Sequence, residues 1–408
     1  MLTFFCLVSG SAWAQTFTQG DLKFTVIDAD TKTVSVAKAS NDITGAIVLP
    51  STVTNEGVTY TVTMTAAGAF HGCTGITAMT VPASVTTIKR GFLTGCTELK
   101  NFTIKDSDTP LYFDNDYWTY TNGDEQLCVA DLDYFYMGRD ITMYYTKKNV
   151  VKAAKKIEVG GEMTVIPGWF SDENTALTEV TIGGNITKIG QEAFDSNTSL
   201  SKVTITAPVD TIYQSAFWGC SSLTAIELPA TVKYLGPAVF RNCTALEAFT
   251  IPAATEQVDR GLLTGCSGLK NFTIEDSDTP LYFDNDYWTY TNGDEQLCVA
   301  DLDYFYMGRD ITKYNSNSVV VTAAKKIELG GKMTNIPNHF SDSNAALTEL
   351  SIGGNITKIG LEAFDVNTSL SSVTITAPVD TIYQSAFWGC SSLTAIELPI
   401  STSKPQSA

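Results

Sequence analysis

Apolar and polar positions along the chain recur with a period of 23 residues. In each unit the last apolar positions alternate with polar ones, as Ile226 and Leu228 do around Glu227, which predicts a short strand with one face inward. Pro229 then ends the strand, because proline cannot donate to a β-ladder. One unit is too short to bury its apolar face alone, so stacked units are expected to form a solenoid of parallel strands.

The same phase marks ten units. They begin at Thr65, Ile88, Ile166, Ile189, Ile212, Leu235, Val258, Ile336, Ile359 and Ile382. Before the strand of the unit at Ile212, the pair Ala216 and Phe217 predicts a short turn or helical piece that fills the interior. The predicted fold class is therefore an α/β solenoid, in which short helical or turn segments alternate with a parallel β-strand stack.

A longer repeat lies over the short one. Residues 101–142 recur at 271–312 with one change, Lys105 to Glu275. Residues 210–229 recur without change at 380–399, and both offsets are 170 residues. A block of several units has therefore been duplicated. A binding site within the block would occur twice, which raises avidity.

The cysteines fall mainly on one position of the repeat. The ninth position of the ten units is always Cys or Asn, namely Cys73, Cys96, Asn174, Asn197, Cys220, Cys243, Cys266, Asn344, Asn367 and Cys390. A disulfide or zinc site would not accept Asn at four of these positions. Both side chains are compact and can hydrogen-bond to nearby backbone. We therefore predict a buried structural ladder of Asn and reduced Cys; Cys128 and Cys298 lie outside it without an assigned role.

The core A-F-x-x-C-x-x-L-x-x-I-x-[IL]-P stands at residues 216–229 and, in related form, at 69–82 and 238–252. It resembles the BspA-type leucine-rich repeats of secreted bacterial and some protist surface proteins. The resemblance covers about residues 65–400, and residues 15–64 resemble the N-terminal β cap of that family. It implies adhesion to host extracellular-matrix or plasma proteins, or to other cells.

Two matching islands, residues 111–165 and 281–335, interrupt the clear units. In the first island Leu132, Phe135 and Met137 keep the strand spacing of a unit, and a second such stretch follows them. Each island is therefore predicted to contain two degenerate coils.

Each island also carries an aromatic segment, at residues 117–127 and 287–297. The Asn122-Gly123 pair in the first suits a type I′ turn and predicts a hairpin. Tyr and Trp on a protruding hairpin offer a large contact area, and two further Trp residues occupy a variable repeat position. The candidate binding residues are Tyr117, Trp118, Tyr120, Tyr287, Trp288, Tyr290, Trp218 and Trp388. The alternative is that these aromatic side chains pack against the solenoid.

The N-terminus begins with an apolar run at residues 2–8, which the sequence Ala12-Trp13-Ala14 follows. This order is typical of a secretory signal peptide cleaved near Ala14, although no Lys or Arg precedes the run; a buried strand is the alternative. We therefore expect a secreted or cell-surface protein. Its predicted parts are a signal peptide (1–14), a β cap (15–64), the solenoid (65–400) and a tail (401–408).

The charge balance argues against several functions. Asp and Glu outnumber Lys and Arg by 44 to 26, which is unfavourable for nucleic acid or an anionic membrane. No apolar run reaches the ~18 residues of a membrane span. The residues after Asp114 lack the ligand spacing of an EF-hand, and Asp131 and Asp133 suit a solvated strand edge better than glycoside hydrolysis. We predict no catalytic residue, metal or cofactor.

The sequence therefore favours a non-catalytic recognition protein that binds protein ligands through an extended repeat surface. The strand-face positions expected to form it include Thr178, Glu179, Thr181, Lys202, Thr204, Glu227 and Glu247. Two alternatives remain open: a polysaccharide-binding protein whose Trp/Tyr hairpins stack on sugars, and a structural component of a cell-surface layer.

Overall fold

The structure, a computed structural model, describes residues 15–114, 127, 130–143, 149–284, 297, 301–313 and 319–399. Six strands precede the repeats: β1 (Thr16–Gln19), β2 (Leu22–Asp28), β3 (Thr33–Lys38), β4 (Gly45–Val48), β5 (Thr52–Asn55) and β6 (Val58–Thr65). Strands β1, β2 and β3 form an antiparallel meander, and β3 pairs in parallel with β6. The region predicted as a cap thus joins a meander to the parallel stack.

The repeats build two columns of parallel strands, because a coil can contribute one strand to each column. The first column continues from β4 with β7 (Ile76–Val81), β9 (Asn101–Ile104), β11 (Leu132–Met137), β13 (Ala154–Val159), β15 (Glu179–Ile182), β17 (Lys202–Ile205), β20 (Ala248–Ile251), β22 (Asn271–Ile274), β24 (Leu302–Met307), β26 (Ala324–Leu329), β28 (Glu349–Ile352) and β30 (Ser372–Ile375). The second continues from β6 with β8 (Thr87–Lys89), β10 (Leu111–Asp114), β12 (Ile141–Met143), β14 (Val165–Ile166), β16 (Lys188–Ile189), β18 (Thr211–Ile212), β19 (Tyr234–Leu235), β21 (Gln257–Asp259), β23 (Leu281–Asp284), β25 (Ile311–Lys313), β27 (Asn335–Ile336), β29 (Lys358–Ile359) and β31 (Thr381–Ile382).

Both islands contain the predicted degenerate coils. Strands β11 and β13 of the first island lie next to each other in the first column, with Phe135 opposite Ile157. Strands β24 and β26 repeat this arrangement in the second island. The islands therefore continue the solenoid through their strands, and that prediction is confirmed.

The first column is interrupted at residues 223–228, where the sequence predicts a strand and the structure assigns none. Leu223 and Ile226 still point inward and are buried, as the apolar spacing requires. The backbone does not form the ladder with β17 or β20, so the column consists of a seven-stranded and a six-stranded sheet.

A continuous stack of phenylalanine rings runs through the core between the two columns. Successive ring centroids lie 5.1–6.2 Å apart. The stack contains Phe70, Phe92, Phe102, Phe135, Phe170, Phe194, Phe217, Phe240, Phe249, Phe272, Phe305, Phe340, Phe364 and Phe387. These spacings suit stacked and edge-to-face pairs, so each ring stabilises the coil before it and the coil after it.

The segments between strands are turns, and the expectation of helical pieces and an α/β class is wrong for the described residues, which contain no helix. Around Ala216 the backbone hydrogen bonds run between coils. The N–H of Phe217 donates to the carbonyl of Val239 at 3.0 Å, and that of Gly219 to the carbonyl of Arg241 at 2.8 Å. In an α-helix, each of these N–H groups would instead donate to the carbonyl of the residue four positions earlier in the chain.

Left-handed residues also prevent a helix in these segments. Each unit has a positive φ at its fourth and eighth positions. The fourth positions are Gly68, Gly91, Trp169, Glu192, Ser215, Ala238, Gly261, His339, Glu362 and Ser385. The eighth positions are Gly72, Gly95, Glu173, Ser196, Gly219, Asn242, Gly265, Ser343, Val366 and Gly389. Two left-handed residues four apart turn the chain back before an α-helical hydrogen bond can form.

The Cys/Asn positions lie in the core beside these turns, and all ten are buried. The thiol of Cys220 donates to the carbonyl of Phe194 in the preceding coil at 3.3 Å. The amide of Asn197 donates to the equivalent carbonyl, that of Ser171, at 2.9 Å. Cys220 and Asn197 thus donate the same inter-coil hydrogen bond, and the six described cysteines are free thiols. Burial raises the pKa of Cys96 to about 12, which keeps the thiol protonated and unreactive.

Candidate interaction surface

The first column presents two rows of side chains on its outer face. In the row nearer the start of each strand, the parallel register places Tyr134 between Asn101 and Lys156. In the row two residues further along each strand, Tyr136 lies between Thr103 and Glu158. Because parallel strands stack ~4.8 Å apart, residues of one row on neighbouring strands are in direct reach of each other.

Both tyrosines are held by carboxylates on neighbouring coils. The hydroxyl of Tyr134 donates to Glu158 Oε2 at 2.8 Å, and that of Tyr136 donates to Asp106 Oδ1 at 2.6 Å. We call Tyr134, Tyr136, Glu158 and Asp106 the tyrosine cluster. Burial of the rings, followed by the hydrogen-bonded carboxylates, raises the pKa of both phenols above its usual value. The hydroxyl groups therefore remain protonated donors.

Two glycines create the space for Asp106. A Cβ atom at Gly138 would lie 1.9 Å from Asp106 Oδ1, and one at Gly161 would lie 2.5 Å from the same oxygen. Either distance is far inside van der Waals contact, so only glycine allows the carboxylate this close to the backbone. The cluster is thus fixed from both sides, by the glycines and by the Tyr136 hydroxyl.

Ion pairs extend the polar surface from the tyrosine cluster along the next strands. Lys155 Nζ lies 2.8 Å from Asp133 Oδ1. Glu179 accepts Lys156 at 3.5 Å and Lys202 at 2.9 Å. These pairs are solvent-exposed, so their contribution to stability is small, at most ~1 kcal/mol each. They leave charges of both signs available to a partner.

The duplication reproduces this surface in the second block. Tyr304 donates to Glu328 Oε2 at 2.9 Å, and Tyr306 donates to Asp276 Oδ1. Lys326 Nζ lies 2.8 Å from Glu349 Oε1. Position 372, which corresponds to Lys202, is Ser, so the second copy lacks the outermost lysine.

The two copies lie on the same column, seven coils apart, counted from β11 to β24. At ~4.8 Å per coil they are separated by roughly 34 Å along the stack. The strand-face positions expected from sequence to be available to a ligand are all outside the core: Thr178, Glu179, Thr181, Lys202, Thr204, Glu227 and Glu247. The surface is therefore polar and partly charged, and among its described residues the tyrosines add the large aromatic area.

The other candidates from sequence lie elsewhere. Trp218 and Trp388 occupy turn segments, where the guanidinium of Arg241 lies 5.9 Å from the centroid of the Trp218 ring. The aromatic hairpin residues Tyr117, Trp118, Tyr120, Tyr287, Trp288 and Tyr290 lie outside the described residues, as do Cys128 and Cys298. The hairpins therefore stay a prediction.

Asp114 and Asp140, which lie near the acidic residues considered for chemistry, have structural partners. Asp114 pairs with Lys89 at 2.8 Å. Asp140 accepts the backbone N–H and the hydroxyl of Thr164 at 2.8 and 2.7 Å, which caps the start of the next coil. Within the described ranges no group of three or more His, Cys, Asp or Glu could hold a metal ion. The same part of the chain has no helix long and apolar enough to cross a membrane.

Sequence reasoning missed the tyrosine clusters. The spacing of Leu132, Phe135 and Met137 predicts the strand, and Tyr134 and Tyr136 follow as its outward residues. Their partners lie 24 and 30 residues away on coils of unequal length. One of these contacts has a signal in the sequence. When the islands are aligned as coils, the outward Tyr134 is followed one coil later by the outward Glu158.

This architecture, a stack of short coils with parallel strands and buried repeat positions, defines the class of leucine-rich repeat solenoids. A family description, "BspA type Leucine rich repeat region", matches in six copies over residues 51–115, 168–287 and 301–407. The chain belongs to this family, and the resemblance seen in the sequence is confirmed. No curated protein matches the chain.

Similar solved structures are bacterial leucine-rich repeat proteins. One is from Bacteroides ovatus, with 17% identity, 94% of this chain and 82% of that chain covered, and a TM-score of 0.37. Another is a leucine-rich cell surface protein from Faecalibacterium prausnitzii, with 20% identity, 94% of both chains covered and a TM-score of 0.34. A third is the pneumococcal vaccine antigen PcpA, with 16% identity, 91% and 99% covered and a TM-score of 0.30.

Proposed function

We propose that this chain is a non-catalytic recognition protein, secreted or held at the cell surface, whose first strand column binds a protein ligand. The main support is the tyrosine cluster, which occurs twice on one face in the same geometry. Tyrosines are enriched in binding hot spots because they combine apolar area with a hydroxyl. Membership of the BspA-type family and the predicted signal peptide favour export.

The fixed hydrogen bonds favour rigid recognition. The phenol rings of Tyr134 and Tyr136 are half-buried and their hydroxyls are already bonded, so binding would cost little side-chain entropy. Nearby lysines and carboxylates provide charge for specificity. The ligand class we propose is extracellular-matrix or plasma protein with repeated epitopes, since two sites roughly 34 Å apart can engage one such molecule together.

Surface plasmon resonance against immobilised matrix and plasma proteins tests this function. Variants Y134S/Y136S and Y304S/Y306S each remove one cluster, and the quadruple variant removes both. Each double variant is expected to weaken avidity by a factor of ~10²–10⁴ on a dense surface, and the quadruple variant to abolish binding. Tyr213 directly follows β18 of the second column and is exposed, so Y213S is the aromatic control away from the first column.

Unchanged binding of the quadruple variant would contradict the proposal. Equal losses in the control and the cluster variants would contradict it as well. Deletion of both aromatic segments, residues 117–127 and 287–297, separates the hairpin hypothesis from the strand face. Glycan binding that disappears only with the hairpins would instead favour the polysaccharide alternative.

A further inference from the structure

One substitution separates the two blocks within a long stretch that is otherwise identical. Residues 101–142 recur at 271–312 with Lys105 replaced by Glu275. Both residues directly follow a strand of the first column, β9 and β22 respectively. The N–H of Lys105 donates to the carbonyl of Val81 at 3.0 Å, and that of Glu275 donates to the carbonyl of Ile251 at 3.1 Å. The two side chains therefore start from equivalent backbone positions and carry opposite charges.

Glu275 has a defined contact in the second block. Its Oε2 atom accepts the N–H of Ala253 at 2.9 Å. The carbonyl of the same Ala253 accepts Arg309 Nη1 at 3.0 Å, so the carboxylate lies close to the buried guanidinium. Burial lowers the pKa of Arg309 to about 10, and the charge of Glu275 acts in the opposite direction. The Glu275 carboxylate thus binds a backbone donor and is a nearby counter-charge for Arg309.

The first block has the same framework without the carboxylate. Arg139 is fully buried and donates to the carbonyls of Ala83 and Pro82 at 3.0 and 3.1 Å, as Arg309 does to their counterparts in the second block. Among the described residues the N–H of Ala83 has no hydrogen-bond acceptor, because Lys105 stands where a glutamate would supply one. Burial lowers the pKa of Arg139 to about 10, and no described carboxylate acts against it.

The first block also has an additional donor at this place. The Oγ atom of Ser84 is buried and has no hydrogen-bond partner within the described ranges. The same holds for Nε of both buried arginines, whereas the hydroxyl belongs to the first block alone because Ala254 replaces Ser84 in the second. A buried donor without an acceptor is unfavourable, so these groups favour an acceptor from outside the chain.

Asp106, the residue after Lys105, does not provide that acceptor. Its Oδ1 atom accepts the hydroxyl of Tyr136 at 2.6 Å. Asp276 accepts the hydroxyl of Tyr306 in the same way, so this contact is common to both blocks. The difference between the blocks therefore remains one missing carboxylate beside a buried cation.

We propose that the first block binds a small carboxylate anion at the position that the Glu275 carboxylate occupies in the second block. We call Ala83, Ser84, Lys105 and Arg139 the anion site. The N–H of Ala83 and the ammonium group of Lys105 bind the carboxylate oxygens, and the buried Arg139 adds its positive charge. Hydrogen bonds to a charged acceptor are roughly twice as strong as those between neutral groups.

Nuclear magnetic resonance of the full ¹⁵N-labelled chain tests the anion site, with sodium acetate as the probe and sodium chloride at equal ionic strength as the reference. Acetate should move the amide proton of Ala83 downfield until the shift saturates, because a charge-assisted hydrogen bond forms. Chloride should leave this signal in place. The amide proton of Ala253 should be downfield before any addition, because Glu275 already accepts its hydrogen bond.

K105E and E275K exchange the two arrangements and serve as matched variants. K105E supplies the carboxylate within the chain, so the Ala83 signal should be downfield without acetate and should no longer respond to it. E275K should make the Ala253 signal respond to acetate. S84A should weaken acetate binding at Ala83 by a factor of about 5, which corresponds to the loss of one hydrogen bond. The thermal unfolding midpoint of each variant shows that it is folded.

An Ala83 signal that does not respond to acetate in the unchanged chain would overturn the proposal. The proposal would also be wrong if chloride gave the same shift, or if K105E kept the response to acetate. These spectra require no protein ligand, so they can support the anion site even when binding by the tyrosine clusters fails.

Discussion

Asp172 offers a sharp test of the electrostatics of the turns. It lies beside the ninth-position ladder, and its Oδ1 atom is buried without a hydrogen-bond partner. Burial first, and then the charges of Asp195, Glu173 and Glu192, raise the pKa of Asp172 from 3.8 to about 6. A carboxylate in this position is therefore unfavourable for the folded state at neutral pH.

The magnitude follows from linkage. Between pH 3.8 and about 6 the folded state holds the proton of Asp172 more tightly than the unfolded state, so stability falls as the pH rises through this range. The full shift corresponds to at most about 3 kcal/mol. Because the side chain is partly exposed, screening by solvent reduces the expected effect to about 1 kcal/mol. Asp172→Asn removes the charge and keeps the shape, so the variant should be more stable by that amount at neutral pH.

Urea unfolding, followed by circular dichroism at neutral pH and well below pH 3.8, measures the difference. The gain should appear at neutral pH and disappear well below pH 3.8, where the carboxyl is protonated in both states. Asp342→Asn is the matched control, because in the second block His339 replaces Trp169 and its Nδ1 lies 4.0 Å from Asp342 Oδ2. There we expect no gain. An equal gain in both variants, or a gain of Asp172→Asn that does not depend on pH, would refute the reasoning.

Three further predictions use other features of the coils. Val366 is β-branched at φ 53°, so V366G should raise the thermal midpoint, with a gain of up to about 1 kcal/mol, and G219V at the equivalent internal position should lower it. Burial and then the Glu328 hydrogen bond raise the pKa of Tyr304 to about 12. The stability that the protonated Tyr304 hydroxyl contributes is therefore complete below pH 10 and is lost as the pH rises through 12. In urea unfolding at alkaline pH, Y304F should not show this loss of stability. Arg309 donates to three carbonyls and Arg139 to two, so R309M should lower the free energy of unfolding by about 1–3 kcal/mol more than R139M in the same assay.

The repeat itself could be predicted because side-chain type reports burial directly. A 23-residue period, the alternation around residues such as Ile226, and the restriction of one position to Cys or Asn are all visible in the letters. These features predict the stack of strands, the coils within the islands and the family. They depend on which side chains point inward, and that is what an apolar pattern encodes.

The backbone between strands could not be predicted in the same way. The left-handed positions hold glycine in some units but Trp169, Glu192 or Val366 in others, so no residue type marks them throughout. Turn and short helix differ mainly in whether the N–H groups bond within the coil or to the next coil. Phe217 is buried in either case, and its apolar character cannot separate them.

To predict the tyrosine clusters, the register between strands of different coils would also have to be known. Asp106 reaches Tyr136 only because Gly138 and Gly161 leave space in two later coils. Four residues from three coils therefore have to be placed before the contact is apparent. Aromatic hairpins stand out in a sequence because their residues are adjacent, whereas a strand-face cluster is assembled by stacking.

The buried arginines explain how the degenerate coils keep their place in the stack. Arg139 is fully buried, and its guanidinium donates to the carbonyls of Pro82 and Ala83, two strands back in the first column, at 3.1 and 3.0 Å. Burial lowers the pKa of Arg139 to about 10, so the group stays charged at neutral pH without a hydrogen-bonded carboxylate. Its planar fork of N–H donors can satisfy several carbonyls at once, which a lysine cannot do in the same geometry. In the first island a charged donor thus reaches across the intervening coil and adds to the backbone hydrogen bonds that already join neighbouring coils, such as the bond from the N–H of Gly138 to the carbonyl of Ile104. This role accounts for a cation in the core that donates to backbone carbonyls and pairs with no carboxylate among the described residues.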